Sequence, residues 1–224
     1  GDGSEFKPNH LLISSTSSVY GNNQEYPFHE KQKSDTPISF YAATKKSNEV
    51  MAHSYSHLYK IPITMFRFFT VFGPWGRPDM ALFQFTKNIL SQKPINLYNN
   101  GNMRRDFTYI EDLIKAIDLL KDRIPDGPFE RKLEIERDSI SKTAPFRIVN
   151  IGNSKSIKLL DFLNELEKCL GMKAEKNFIE IQDGDIKETH SNIELLYKLT
   201  GFKPKVTLSH GIKEFVAWFK DYYT

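Results

Sequence analysis

Apolar positions along the chain follow two alternating rhythms. Short apolar runs of strand type alternate with stretches whose apolar residues return at every third or fourth position, as on one face of a helix. HLLIS at residues 10–14 predicts a strand, and GNNQEYPFHEKQKSDTP a polar loop. From residue 39 to 60, Phe40, Ala43, Ser47, Val50, Met51, Ser54 and Leu58 keep the i, i+3, i+4 spacing of a helix. PITMFRFFTVFG is β-rich and stops at the breaker loop GPWGRP. Residues 79–92 predict a helix, INLY a strand, NNGN a turn, and RDFTY a strand that enters the helix IEDLIKAIDLL. Residues 125–145 are polar and rich in breakers, which predicts a mobile excursion. FRIVNIGN then predicts a strand, SIKLLDFLNELEKCLG a helix capped by Gly171, NFIEIQ a strand, DGD a turn, and SNIELLYKLTG and SHGIKEFVAWFKDYY two helices. Strands alternating with helices imply an α/β fold with much parallel pairing, the second half being a smaller α/β lobe.

Composition narrows the classes. The 224 residues are 39% hydrophobic and 13% aromatic, which suits one large domain or two small ones. The formal charge of +3 comes from 31 basic and 28 acidic residues without a basic stripe, so nucleic acid is not an expected partner. The lone Cys169 cannot form an internal disulfide and fits a reducing, cytoplasmic setting as a core thiol. No apolar run nears the roughly 20 residues needed to span a membrane. GDGSEF at residues 1–6 resembles a tag scar, so the chain reads as an excised piece. The six histidines show no metal-ligand spacing beyond the His53/His57 pair, and no metal is expected. IEDLIKAID reads as a solvated helix face, and Phe215, Trp218, Phe219, Tyr222 and Tyr223 as helically spaced core.

One pair carries chemistry. Tyr41 and Lys45 lie four apart in YAATK, on one helix face. A cation beside a phenol favours the phenolate, and such a tyrosine serves as general acid or base. The spacing also arises by chance in helices that do no chemistry. Two neighbours bear on it. ISSTSSVYG is a strand end dense in hydroxyls, and open α/β sheets place ligands at such ends. Its hydroxyls also suit a hydrated turn. The second neighbour is RFFTVFGPWGRPDM, a strand ending in a Gly/Pro loop.

The ordered set SSTSSVYG, YAATK, RFFTVFGPWGRPDMALF, RRDFTYIED, VNIGNS and GD resembles the extended short-chain dehydrogenase/reductase family, in its branch of nucleotide-sugar epimerases, over residues 8–223. The resemblance implies part of a doubly wound Rossmann-type parallel sheet over residues 7–75. Residues 76–224 would be mainly a substrate lobe, with segments returning to the sheet. It implies NAD as cofactor, a UDP-sugar, most nearly UDP-glucuronate, as substrate, and a homodimer. Tyr41 would be the catalytic tyrosine, Lys45 would hold the nicotinamide ribose, and Thr16 would assist proton transfer at the sugar 4-hydroxyl. Phe68 and Phe69 would flank the nicotinamide. Ser17 and Ser18 would face a uronate carboxylate, and Thr70 the sugar or phosphate. Arg77 would offer its planar fork to a carboxylate or phosphate. Ala81, Leu82, Phe83 and Tyr98 would border the uracil, Arg105 would bind the diphosphate and Asp185 the uridine ribose. Gln182 stands where some of these enzymes carry an arginine, which throws more of the phosphate onto Arg105. The resembling 4,6-dehydratases carry Asp-Glu where this chain has Ser17-Ser18, which disfavours dehydration. A decarboxylase on the same uronate, or a non-catalytic nucleotide-sugar binder, are the other readings.

The family binds its dinucleotide on a glycine-rich turn after the first strand, with an acidic residue about 20 further on. None of the twelve glycines stands in such a pattern. The expectations are that this polypeptide is inert alone and that an uncovered sheet edge favours self-association.

Overall fold

A computed structural model describes residues 7–127 and 135–223. The suspected tag, residues 1–6, and residues 128–134 of the expected excursion lie outside the described residues. The chain forms β1 (Leu11–Thr16), α1 (Phe40–Tyr59), β2 (Ile63–Phe68), β3 (Thr70–Phe72), α2 (Ala81–Leu90), β4 (Ile95–Leu97), β5 (Arg104–Tyr109), α3 (Ile110–Leu120), β6 (Phe146–Ile151), β7 (Ser156–Lys158), α4 (Leu159–Leu170), β8 (Lys176–Phe178), α5 (Glu194–Thr200) and α6 (Leu208–Tyr223).

A parallel sheet of order β1-β2-β6 organises the first half, and β6 returns to it from late in the chain. Most apolar residues of β2 and β6 are buried, on both faces, as in a parallel sheet covered by helices, whereas Leu11 at the start of the edge strand β1 is exposed. Toward α1, Ile63, Met65 and Phe146 pack with Ala52. Toward α3 and α5, Phe66, Val149 and Ile151 pack with Leu113, Leu120, Leu195 and Leu196. Each such side chain contributes about 1.5–3 kcal/mol on burial. The larger core lies in the second half, where α2, α4 and α6 close over β3, β4 and β5 through Phe83, Phe107, Phe162 and Phe215.

Helix α1 begins where Ser39, extended at φ −134°, accepts the Ala42 N–H on its hydroxyl, and it ends at Lys60 in a left-handed conformation, two residues before Pro62. Its predicted span is observed, but the apolar stripe read from its spacing faces outward. Phe40, Val50, Met51 and Leu58 are exposed, while Ala42, Glu49, Ala52 and Ser56 are buried. Small side chains let the helix approach the sheet closely, and the large apolar ones are left outside.

Other expectations shift locally. Residues 156–158 form β7 rather than helix, because they pair antiparallel with β5. NFIEIQ yields only β8, which ends at Phe178. In IEDLIKAID, Asp112 is buried, not solvated: one carboxylate oxygen accepts the N–H groups of Lys205 and Val206 at 2.9 and 2.8 Å. Phe215 and Phe219 are core, but Tyr222 and Tyr223 are exposed, because α6 runs past the edge of the packed layer.

Candidate active site

Strand β1 delivers its carboxyl end to a cleft. Thr16, extended at φ −154°, caps a 3-10 turn over Ser17–Tyr20 by accepting the Ser18 N–H at 3.2 Å. The Thr16 hydroxyl donates to Ser18 Oγ at 3.2 Å. Across from this turn, the first two turns of α1 present Tyr41 and Lys45. Lys45 Nζ donates to the Ser14 carbonyl at 3.2 Å and to Ser14 Oγ at 3.4 Å, so the ammonium is held against β1. The Tyr41 side of the helix opens outward, and the residue is 53% exposed.

The cleft measures about 760 Å³ and is lined by residues 14–18, Tyr41, Lys45, residues 68–77 and residues 80–83, with Phe107, Ile110 and Phe215 at its base. That volume suits a nucleotide-sized ligand. The structure therefore brings together Thr16, Ser17, Ser18, Tyr41, Lys45, Phe68, Phe69, Thr70, Arg77, Ala81, Leu82 and Phe83. A second hollow, beside His29, Glu30 and Asn192, holds about 10 Å³, room for no more than a water.

Arg77, expected to meet a carboxylate or phosphate, already has a carboxylate beside it. Its guanidinium donates to Asp79 at 2.9 Å, with both side chains well exposed. Tyr98, Arg105 and Asp185 do not line this cleft. Arg105 donates to the carbonyls of Arg104 and Lys187 at 2.9 and 3.2 Å. Burial pulls the Arg105 guanidinium below its usual range, and the charges of Asp185 and Tyr26 oppose that shift.

Sequence reasoning missed several lining residues. Ser14, the partner of Lys45, lies 31 positions away and carries no periodic signal. Trp75 lines the cleft at 72% exposure, in a left-handed conformation (φ 62°), and rests on Trp218 and Tyr222 at 5.3 and 5.2 Å between ring centroids. Its signal was the GPWG breaker. Gly73 adopts φ 142°, and a Cβ there would stand 2.6 Å from Ile110 Cγ2, so only glycine permits that close approach.

Beneath the cleft runs a polar rung also missed in the sequence. Ser15, Arg67 and Asn150 are register partners on β1, β2 and β6. Glu49 of α1 accepts Ser15 Oγ at 2.7 Å and Arg67 Nε at 2.8 Å on one oxygen, and Arg67 Nη2 at 2.8 Å and Lys46 Nζ at 3.1 Å on the other. Burial pushes the Glu49 carboxyl up, but the hydrogen bonds and charge of Arg67 outweigh it and hold Glu49 below the usual carboxylate range. Arg67 also lies 4.7 Å over the Tyr20 ring, and burial raises the Tyr20 phenol to about 12. Tyr20 donates to Asn150 Oδ1 at 2.7 Å, and the Asn150 N–H donates to Glu30 at 2.9 Å. Burial raises Glu30 to about 7.

A hydroxyl-bearing strand end, a Tyr/Lys helix and a cleft at the carboxyl edge of a parallel sheet are the arrangement in which open α/β folds bind their ligands. The family model described as NAD dependent epimerase/dehydratase family matches residues 4–135, and the chain belongs to that family. The chain is 47% identical to Protein CapI of Staphylococcus aureus over 218 residues, covering 97% of this chain and 65% of that protein. It is 48% identical over 216 residues to a probable UDP-glucuronate 4-epimerase of Rhizobium meliloti (strain 1021), covering 96% and 63%. Among solved structures, UDP-glucuronic acid 4-epimerase from Bacillus cereus, in complex with UDP-glucuronic acid and NAD, superposes at a TM-score of 0.84 with 32% identity, over 99% of this chain and 64% of that one. The chain thus spans 63–65% of the length of these three proteins.

Proposed function

We propose that the cleft is the catalytic part of an NAD-dependent UDP-sugar 4-epimerase acting on UDP-glucuronate. The observation that carries this is the convergence of Thr16, Tyr41 and Lys45 on one nucleotide-sized cleft. The names of the relatives point the same way.

The residues present suit one end of the dinucleotide. Lys45 would hold the nicotinamide ribose beside Tyr41, Phe68 and Phe69 would flank the nicotinamide, and no glycine-rich turn exists in this chain for the pyrophosphate. Bound there, NAD supplies the acceptor and donor of the C4 hydride. Tyr41 would take the sugar 4-hydroxyl proton as the C4 hydride leaves, and would return it to the same oxygen once the flat 4-keto sugar has turned over and the hydride has come back to the opposite face of C4. Thr16 relays that proton, and Lys45, anchored on Ser14, keeps its charge beside the phenol. Ser17 and Ser18 meet the uronate carboxylate. Thr70 meets the sugar or phosphate, and Ala81, Leu82, Phe83 and Tyr98 border the uracil. Arg105 takes the diphosphate and Asp185 the ribose, both from outside the lining of the cleft. Arg77 reaches the ligand by leaving Asp79, an exposed pair whose loss costs little. Residues 7–75 form the cofactor lobe and residues 76–224 mainly the substrate lobe. Two copies meet through the exposed apolar face of α1, with Phe40, Val50, Met51 and Leu58 at the contact. Among the described residues no helix is long and apolar enough to cross a membrane, and the lone Cys169 suits the cytoplasm.

The 224-residue polypeptide alone binds UDP-glucuronate but does not turn it over. Titration with UDP-glucuronate, followed by the fluorescence of Trp75 at the cleft, should saturate in both the unsubstituted chain and Tyr41→Phe. Complementing the chain with the part of the Rhizobium relative outside the matched region should produce UDP-galacturonate, and Tyr41→Phe should cut that rate about 10²–10⁴-fold. Absence of saturable binding, or full turnover in Tyr41→Phe, overturns the reading. Turnover by the uncomplemented chain with added NAD overturns only its inertness.

A further inference from the structure

We infer that Glu49 is a positioning residue for Tyr41 and Lys45, acting through Ser15 and Arg67, an inference that rests on the proposed role of that pair. Residues 41, 45 and 49 recur at i, i+4 and i+8, on one side of α1. Tyr41 and Lys45 reach the cleft from the first two turns, and Glu49 is buried one turn below. Its carboxylate receives four hydrogen bonds, from Ser15 on β1, twice from Arg67 on β2, and from Lys46 on its own helix. Arg67 is in turn held by the Glu30 carbonyl and Ser34 Oγ at 3.2 and 3.0 Å.

Ser15 sits between the two residues that matter at the cleft. Ser14 receives Lys45, and Thr16 holds the hydroxyl turn. One carboxylate therefore ties the helix carrying the tyrosine to the strand carrying the hydroxyls, a single residue from each point of contact. Apolar packing does little of this work. The buried face of α1 otherwise offers Ala42, Ala52 and Ser56, and its large apolar residues point away from the sheet. Besides Lys45 on Ser14, the other polar ties of α1 are Lys46 Nζ to Ser34 Oγ at 2.9 Å, which joins the Arg67 cluster, and two toward its far end, His53 to Ser141 Oγ and His57 to the Thr143 carbonyl, both at 2.8 Å. Without Glu49, the turns bearing Tyr41 and Lys45 keep only the flexible lysine tethers to Ser14 and Ser34 on an otherwise smooth contact. A buried ion pair is replaceable for stability by apolar residues of similar volume, but those do not reproduce its fixed directions.

That difference supplies the test. Lys45 reactivity is read in the 224-residue chain by reductive methylation and peptide mass spectrometry, against Lys33 as an exposed reference. The double variant Glu49→Met/Arg67→Met should regain the unfolding midpoint of the unsubstituted chain while Lys45 methylates about fivefold faster. Ser15→Ala, which leaves the ion pair whole, should raise the Lys45 rate about twofold with the midpoint unmoved. In the complemented enzyme the double variant should lose about tenfold in kcat with KM within about twofold. Lys45 protection that returns with the midpoint, or an unaltered kcat in the folded double variant, overturns the inference. Unaltered Lys45 protection in Ser15→Ala does the same should the double variant fail to fold. The methylation readout needs no ligand, so it decides the case of Glu49 even if the cleft does not bind UDP-glucuronate.

Discussion

The two sides of β1 face opposite worlds. Ser15 looks toward α1 into a closed polar rung, where Glu49 and Arg67 are 2% and 1% exposed and each polar group meets another. Ser14 and Thr16, one residue to either side, belong with Ser15 to the wall of an open cleft whose Tyr41 is half exposed, but are not tied into the rung. Both environments are built from the same kinds of residue: hydroxyls, a phenol, a cation. What separates them is saturation. In the rung the protein supplies every partner, so the groups fix geometry. In the cleft the protein leaves capacity over, which suits the groups to a ligand.

The largest effect comes from breaking the saturated side. Arg67→Met leaves the Glu49 carboxylate buried with Lys46 as its remaining cation. The expected loss is about 3–5 kcal/mol in urea unfolding, and adding Glu49→Met should restore most of it. A double variant as unstable as the single would mean that the rung holds the fold through something other than its charges.

A second, smaller effect separates two carboxylates within the same region. Glu30 is raised to about 7 by burial, whereas the guanidinium of Arg67 holds Glu49 low. The signs are opposite. The folded protein binds the Glu30 proton more tightly than the unfolded chain does, so this contribution is complete below pH 4.5, the ordinary glutamate value, and is lost as pH rises through about 7. The Glu49 contribution is present above its ordinary value and is lost as pH falls through its lowered one. The Glu30 shift corresponds to about 3 kcal/mol. Unfolding measured at pH 5 and pH 8 should show that decline in the unsubstituted chain and a flatter profile in Glu30→Gln. Equal profiles would place the Glu30 proton elsewhere.

The sequence displayed the cleft far better than the rung. YAATK announces its pair by helical spacing, and the hydroxyl run SSTSS stands at a strand end, so both are local signals. Glu49 and Arg67 lie 18 positions apart on different elements, and only the parallel register of β1, β2 and β6 brings Ser15, Arg67 and Asn150 abreast. The span of α1 was legible from Ser39 and the helical run. Its orientation was not, because hydrophobic spacing assumes that the large apolar residues turn inward, and here small residues and an ion pair take that side. The strand of FRIVNIGN was plain, but its place beside β2 was a matter of topology. Tyr98, Arg105 and Asp185 were named through resemblance alone, and they stand outside the cleft that gathers the others.

The smallest effect is the sharpest test of the contrast. Tyr41→Phe removes one hydroxyl from a half-exposed ring at the open end of α1, next to no buried charge. A surface change of this kind alters stability by about 0.5 kcal/mol or less. Its denaturation curve should therefore overlay that of the unsubstituted chain, while turnover in the complemented enzyme collapses. The corresponding deletion in the rung, Tyr20→Phe, strips a buried phenol from Asn150 Oδ1 and leaves that acceptor without its donor, at a cost of about 1–3 kcal/mol. Identical chemistry removed from two sites should thus give a stability loss at residue 20 and a loss of reaction at residue 41. If both substitutions destabilise alike, the phenol of Tyr41 is holding structure, and the division between a saturated rung and a receptive cleft does not stand.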